Sequence, residues 1–239
     1  MSFINMKDIG ITAVSHSRMK THEGCPRKAM YKFIDKLKEP GSEAMDRGLE
    51  MHKELEYWAK WLIGAEGGER KIPIGGVRDI IRTSLASVTA GDPGWQQRRE
   101  VVPEQQVAFD KNWEPCSWFG PEAWMRVVFD LSILAKDKST CELWDYKTGK
   151  VYDDHDQQAD LYAVAGHKMG YNNITVKFFY LDQDIVQPYS YSEDEMPALL
   201  ETIKARAERV TSDRNFPTNP SWRCNYCHFR KANNGPCVH

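Results

Sequence analysis

The chain has 239 residues, 41% of them apolar and 28% charged, with a net charge of −2. That length allows one sizeable core or at most two small domains. No apolar run approaches the ~18 residues of a membrane span, and the near-neutral total does not by itself announce a nucleic-acid partner.

The stretch Met1–Asp8 lacks a long apolar segment, so no secretory signal is read and a reducing, cytosolic compartment is the default. Six cysteines in such a compartment suggest metal or cluster chemistry before disulfides. Residues 15–38 read as helical, in two pieces around Gly24-Cys25-Pro26. Pro26 suits a first helical position, and Met30, Phe33, Ile34 and Leu37 form a stripe up to the stop at Pro40-Gly41. Arg27, Lys28, Lys32, Lys36 and Lys38 crowd this segment, while Arg223, Arg230 and Lys231 crowd the other end. Each run reads either as a solvated face or as a patch for phosphate.

Ser42 can cap the next helix, in which Met45, Leu49, His52, Leu55, Ala59 and Leu62 follow three- and four-residue steps. This puts His52 on the apolar face. A glycine-rich connection, Gly64 to Gly76, leads to a helix over 78–89 with Ile81, Leu85 and Val88 on one side, then to a turn at Asp92-Pro93-Gly94. Residues 100–109, 124–135 and 141–147 read as strands, 155–169 as a helix, 174–182 and 186–190 as strands, and 193–210 as a last helix. The tail after Phe216-Pro217 is loop-like and carries cysteines. The order predicts one α/β domain, a mixed sheet flanked by helices, with an accessory element at its ends.

Strand alternation puts Arg126, Val128, Asp130 and Ser132 on one face of the second strand, opposite Val127, Phe129 and Leu131. In the next strand Asp145 and Lys147 share a face. Two close carboxylates repel unless a cation sits between them, and oxygen donors suit Mg²⁺ or Mn²⁺. Phosphodiester hydrolysis needs an activated water and relief of charge on the phosphoryl oxygens. A held metal supplies both, and a lysine two residues on can steady the developing charge. The plain alternative is two strand-end carboxylates beside a surface lysine.

Trp144-Asp145-Tyr146-Lys147-Thr148-Gly149-Lys150 resembles the third motif of PD-(D/E)XK nucleases of the RecB type, and Asp130 resembles the second. Arg47-Gly48-Leu49-Glu50-Met51-His52 with Leu55-Glu56 resembles the first, and Gln158-Ala159-Asp160-Leu161-Tyr162 resembles the Gln-x-x-x-Tyr motif that follows. The resemblance implies a restriction-endonuclease-like core. It makes Asp130, Asp145 and Lys147 catalytic, His52, Asp130 and Asp145 metal ligands, and Gln158 and Tyr162 contacts to DNA. Glu104 is read as a residue beside the metal rather than on it. Asp153, Asp154, His155 and Asp156 are read as a helix-starting charge cluster.

Cys224 and Cys227, then Cys237, have ligand spacing. Taken alone they suggest a zinc site completed by His228, His239 or Cys25. Ser15-His16-Ser17-Arg18 through Cys25-Pro26-Arg27-Lys28 resembles the start of cluster-bearing members of the same lineage, in which one early and three late cysteines hold a [4Fe–4S] cluster. On that reading residues 15–38 and 216–239 form an iron–sulfur (or zinc) subdomain of a single nuclease domain spanning 1–239. The gap from Cys227 to Cys237 is longer than the lineage leads one to expect. Cys116 and Cys141 are read as ordinary residues. The expected function is an exonuclease acting on DNA ends or single strands, like CRISPR-associated and viral members. The alternatives are a flap endonuclease or a non-catalytic DNA-binding scaffold. No Gly-x-x-x-x-Gly-Lys-Ser/Thr loop occurs, so unwinding would fall to a helicase, recombination or CRISPR-adaptation partner.

Overall fold

The computed structural model describes residues 10–69, 77–89, 94–150 and 155–239. Asp92-Pro93 and Asp153-Asp154 lie outside them, and of Val88 only the backbone is described. Two short helices, α1 (His16–Gly24) and α2 (Pro26–Phe33), precede a long α3 (Glu43–Leu62), then α4 (Val77–Thr89) and a single turn α5 (Trp95–Arg98). Strands β1 (Arg99–Phe109), β2 (Pro115–Cys116), β3 (Met125–Ala135) and β4 (Thr140–Lys147) follow. The helix α6 (Asp156–Lys168) crosses to β5 (Asn173–Tyr180), then come β6 (Ile185–Tyr191) and α7 (Met196–Ser212). The sheet order is β2-β1-β3-β4-β5-β6. Only the β4–β5 pair is parallel, as a helical crossover between them requires.

Helices start where the sequence supplies a cap. The Ser15 hydroxyl accepts from Arg18 N–H at 3.4 Å, and that of Ser42 from Met45 N–H at 3.2 Å. The second helix ends earlier than its apolar stripe suggests. Lys36 takes a left-handed φ of 54°, and Leu37 N–H reaches back to the Tyr31 carbonyl at 2.9 Å, closing the helix after Phe33.

The sheet is covered on both faces. Helices α1, α6 and α7 pack with Phe129, Leu143, Val176 and Phe178, while α3 and α4 pack with Leu131, Trp144, Tyr146 and Phe179. Along α3 the buried residues are Met51, Leu55, Trp58 and Ala59. Met45 and Leu49 are 58% and 67% exposed, which corrects the continuous stripe read from the sequence. The first two turns of α3 are held by the ion pair of Arg47 with Asp182 rather than by core packing.

One irregularity decides where the polar residues go. Met125, Val127 and Phe129 of β3 belong to the α6-side core, whereas Leu131 and Ile133 belong to the α3-side core. Strict alternation would have kept all five together, so the expected grouping of Leu131 with Phe129 is corrected. The break falls at Asp130. On β1 the residue in register with Asp130 is Glu104, between the pairs Pro103↔Leu131 and Gln105↔Phe129, and its φ is +50°. β4 pairs β3 only over Leu131–Leu134 and then leaves it. Beyond the split, the segment around Val14 lies against β3, with Arg126 N–H donating to the Val14 carbonyl at 2.9 Å.

The chain ends are stitched together. His22 Nε2 is 2.8 Å from Asp213 Oδ2, and Arg206 grips Glu23 through two hydrogen bonds of 2.7 and 2.9 Å. Asn219 donates to the Gly24 carbonyl at 3.1 Å, Arg27 N–H to that of Pro217 at 3.1 Å, and Tyr31 OH to that of Pro236 at 3.2 Å. No described helix is long and apolar enough to cross a membrane.

Candidate active site and cysteine pocket

The kink and the split of the sheet create the site. At Asp130 the side chain replaces the missing ladder: Tyr146 N–H of β4 donates to Asp130 Oδ2 at 2.5 Å. His52, one turn beyond the exposed start of α3, sets its Nδ1 at 3.1 Å from Asp130 Oδ1. Glu104 joins them from the kinked β1. Donor atoms of His52, Glu104 and Asp130 lie within 4.8 Å of one another, the only such group of three among the described residues. Glu104 was expected beside the metal; here it stands with the donors.

Asp145 approaches from the other core and is differently engaged. Gln158 Nε2 donates to its Oδ1 at 2.7 Å, and the Tyr162 hydroxyl lies 2.8 Å from the same atom. Lys147 Nζ is 2.6 Å from Asp145 Oδ2 and donates to Gln158 Oε1 at 2.8 Å. Asp130 and Asp145 are 8% and 5% exposed. The structure thus brings together His52, Asp130, Asp145, Lys147, Gln158 and Tyr162, but Asp145 is held by this second network rather than among the three clustered donors.

Tyr162 is 4% exposed, edge-on to Phe129 at 4.8 Å, and its hydroxyl is also 2.7 Å from the Val128 carbonyl. It was expected on the side that meets DNA. The burial of α6 against the sheet turns it inward, where it orients Asp145. Gln158 is half-buried between Lys147 and Asp145.

Burial and neighbouring charge shift the ionisation of all three clustered donors. Burial, then the charge of Asp145, hold the Asp130 carboxyl above its ordinary range, against the opposing pull of His52 and Tyr146 N–H. Burial, Asp130 and Glu56 push Glu104 up to about 7. Burial lowers the His52 pKa, but the hydrogen bond and charge of Asp130, aided by Asp145, outweigh it and push His52 up to about 9. Two carboxylates and an imidazole are a donor set that fits Mg²⁺ or Mn²⁺, and binding would replace the imidazolium proton.

His16 was not singled out as a site residue. It opens α1 next to the split, and burial, then the charge of Lys147, push it down to about 4. Its Nδ1 is buried without a hydrogen-bond partner. Nothing in the sequence pattern marks it; its place depends on where the N-terminal segment crosses the sheet.

Cys25, Cys224, Cys227 and Cys237 line a single cavity of about 840 Å³ between α1, α2 and the tail. All four are free thiols, as are Cys116 and Cys141. The tail walls are short turns, Trp222–Tyr226 and Lys231–Asn233, anchored by Phe229 against Tyr31 at 5.5 Å. Arg27, Arg223 and Arg230 stand around the same cavity.

No curated protein matches the chain. Among solved structures, one described as "Crystal structure of SSO0001" aligns over 92% of this chain and 85% of its own, at 15% identity and a TM-score of 0.42. A profile of the PD-(D/E)XK nuclease superfamily matches residues 13–232, from the segment beside β3 to the cysteine tail. A match over so much of the chain, with a clustered set of metal-type donors at the centre of a mixed sheet, places the protein in the PD-(D/E)XK nuclease superfamily, whose members are metal-dependent nucleases.

Proposed function

We propose that the protein is a metal-dependent deoxyribonuclease that trims DNA ends or single strands. The observation that carries this reading is the cluster of His52, Glu104 and Asp130 donors beside Lys147 and Asp145. His52, Glu104 and Asp130 would hold a divalent cation, with Asp145 adjoining. That cation supplies charge neutralisation at the phosphoryl oxygens and a more acidic bound water. Lys147, steered by Gln158, presents a fixed positive charge to the reacting phosphate. Tyr162 and Gln158 hold Asp145 in one orientation. The preference for ends over internal sites rests on the motif order shared with cluster-bearing RecB-type nucleases.

The same reading assigns a [4Fe–4S] cluster to Cys25, Cys224, Cys227 and Cys237. The common cavity supports it, and four thiolates are a suitable complement for such a cluster.

The test is digestion of 5′- and 3′-labelled single- and double-stranded DNA with Mn²⁺ or Mg²⁺, using anaerobically purified protein. Stepwise shortening from an end is expected; cutting only at internal junctions overturns the exonuclease assignment, and no metal-dependent cutting overturns the nuclease. Glu104→Gln is expected to weaken Mn²⁺ binding at least ~10-fold, as loss of a ligand or its partner does. Unchanged Mn²⁺ affinity would return Glu104 to a place beside the metal.

A further inference from the structure

Arg18 of α1 and Arg126 of β3 meet at the segment that lies against β3: Arg18 Nη1 donates to the Ala13 carbonyl at 2.6 Å and Arg126 N–H to the adjoining Val14 carbonyl at 2.9 Å, and burial, then the charge of Arg126, lower the pKa of Arg18. Neither guanidinium has a carboxylate partner among the described residues. Glu122 and Asp110 share the surroundings of Cys116 with Arg126, yet neither pairs with it. Two half-buried like charges without a counter-ion destabilise the protein that carries them. Such a pair is retained where an anion completes it.

Both groups are held in fixed planes. The Arg18 guanidinium lies 5.2 Å from the centroid of Phe33 and donates through Nη1 to the Ala13 carbonyl at 2.6 Å. That of Arg126 lies 5.6 Å from the centroid of Trp118, and its Nε is buried without a partner. Stacking on an aromatic face leaves the N–H edge of a guanidinium free for a planar, charge-assisted contact. The neighbouring Phe119 is 87% exposed.

The location matters as much as the charge. Val127 and Phe129 belong to the α6-side core, so strand alternation puts Arg126 and Val128 on the other side of β3 from them. Four residues of strand separate Arg126 from Asp130, about 13 Å. A duplex strand places one phosphate every ~3.4 Å along its axis.

We infer that Arg18 and Arg126 form a phosphate-binding site for the substrate strand, a few nucleotides from the bond that is cut. The inference rests on the nuclease reading for its substrate, but its test is independent of cleavage. The site takes either a terminal phosphate monoester or an internal phosphodiester.

Binding of a labelled oligonucleotide to the full chain is measured without divalent metal, so that nothing is cut, across a range of salt. Arg126→Gln and Arg18→Gln are each expected to weaken binding ~10-fold and to flatten the salt dependence by ~0.7–0.9 of a charge. Arg126→Lys, which keeps the charge and loses the planar fork, should fall between. The melting temperature of Arg126→Gln should equal or exceed that of the wild type, because one of two repelling charges is gone, whereas Arg18→Gln also gives up its bond to the Ala13 carbonyl. A terminal site predicts that removing the 5′- or 3′-phosphate reproduces the loss in the wild type and adds nothing to Arg126→Gln. An internal site predicts the same for a methylphosphonate at one position only. Unchanged affinity and salt slope, or an Arg126→Gln variant that melts well below the wild type, would overturn the site. A wild type that shows this pattern yet never cuts DNA would sink the nuclease reading and leave the phosphate site standing.

Discussion

The metal-donor centre and the cysteine cavity are built on opposite plans. At the centre, the two aspartates already have protein partners: Asp130 has His52 and Tyr146 N–H, and Asp145 has Gln158, Tyr162 and Lys147. The core of the sheet sets their positions. Around the cysteines the walls are short turns and a tail, tied to the helices by a few hydrogen bonds and one aromatic contact. On the proposed reading, a group bound by the thiols, rather than the core, supplies much of the order there. The first region should lose chemistry without losing its fold; the second should lose its fold with its occupant.

The sharpest break of the comparison is at the centre. Asp130→Asn and Lys147→Ala are expected to slow cleavage by ~10²–10³ or more. Their melting temperatures should stay within a few degrees of the wild type, since Asp130 carries an unfavourable buried charge. Single-turnover rates alongside thermal melts check this. Variants that unfold would show that the centre also holds the sheet together.

Cys25→Ser tests the other half. A link between residues some two hundred apart restricts the unfolded chain by ~5 kcal/mol on the loop-closure account. That amounts to about 10 °C in a protein of this size. The variant should lose its brown colour and iron and melt that much lower, whereas Cys116→Ser and Cys141→Ser should keep both. A colourless wild type with one zinc per chain, indifferent to Cys25→Ser, would replace the cluster by zinc and leave the catalytic centre untouched.

Tyr162→Phe removes only a hydroxyl. Its loss should lower kcat about 10-fold with KM unchanged, because Asp145 is left less firmly oriented, and should cost ~1 kcal/mol of stability. A raised KM for DNA with unchanged kcat would instead return Tyr162 to the substrate side.

The smallest effect concerns the stitching of the chain ends. Burial raises the Asp213 carboxyl, but the N–H groups of Phe216 and Asn215 and the His22 contact outweigh it, so its pKa lies below the ordinary value. A depressed carboxylate stabilises the fold above its unfolded pKa of ~3.9 and ceases to do so as pH falls through the lower folded value. Asp213→Asn should therefore be less stable than the wild type by about 1 kcal/mol at pH 5. That gap should narrow as the pH falls below ~3.9 and close once it passes the lower folded value. A gap that persists in acid would mean the loss is one of packing.

Local pattern determined a good deal. The cap at Ser42, the strand runs ending at Phe109, Ala135 and Lys147, and the crossover helix are written in neighbouring residues, and the structure has them within a few positions. Asp145, Lys147 and Gln158 could be singled out because their spacing along strand and helix is itself local. The company each residue keeps could not. Strict alternation carried Asp130 past a kink that depends on a left-handed Glu104 in the facing strand, and no residue near Asp130 encodes that conformation. Helical periodicity put Met45 and Leu49 in the core because a stripe does not say where the sheet beneath it ends. Tyr162 turned from substrate contact to buried brace, and Arg18 came to rest by Arg126, through packing between segments more than a hundred residues apart in Arg18's case. Chain-local chemistry chose the residue types; the meeting of distant strands and helices chose which of them share a site.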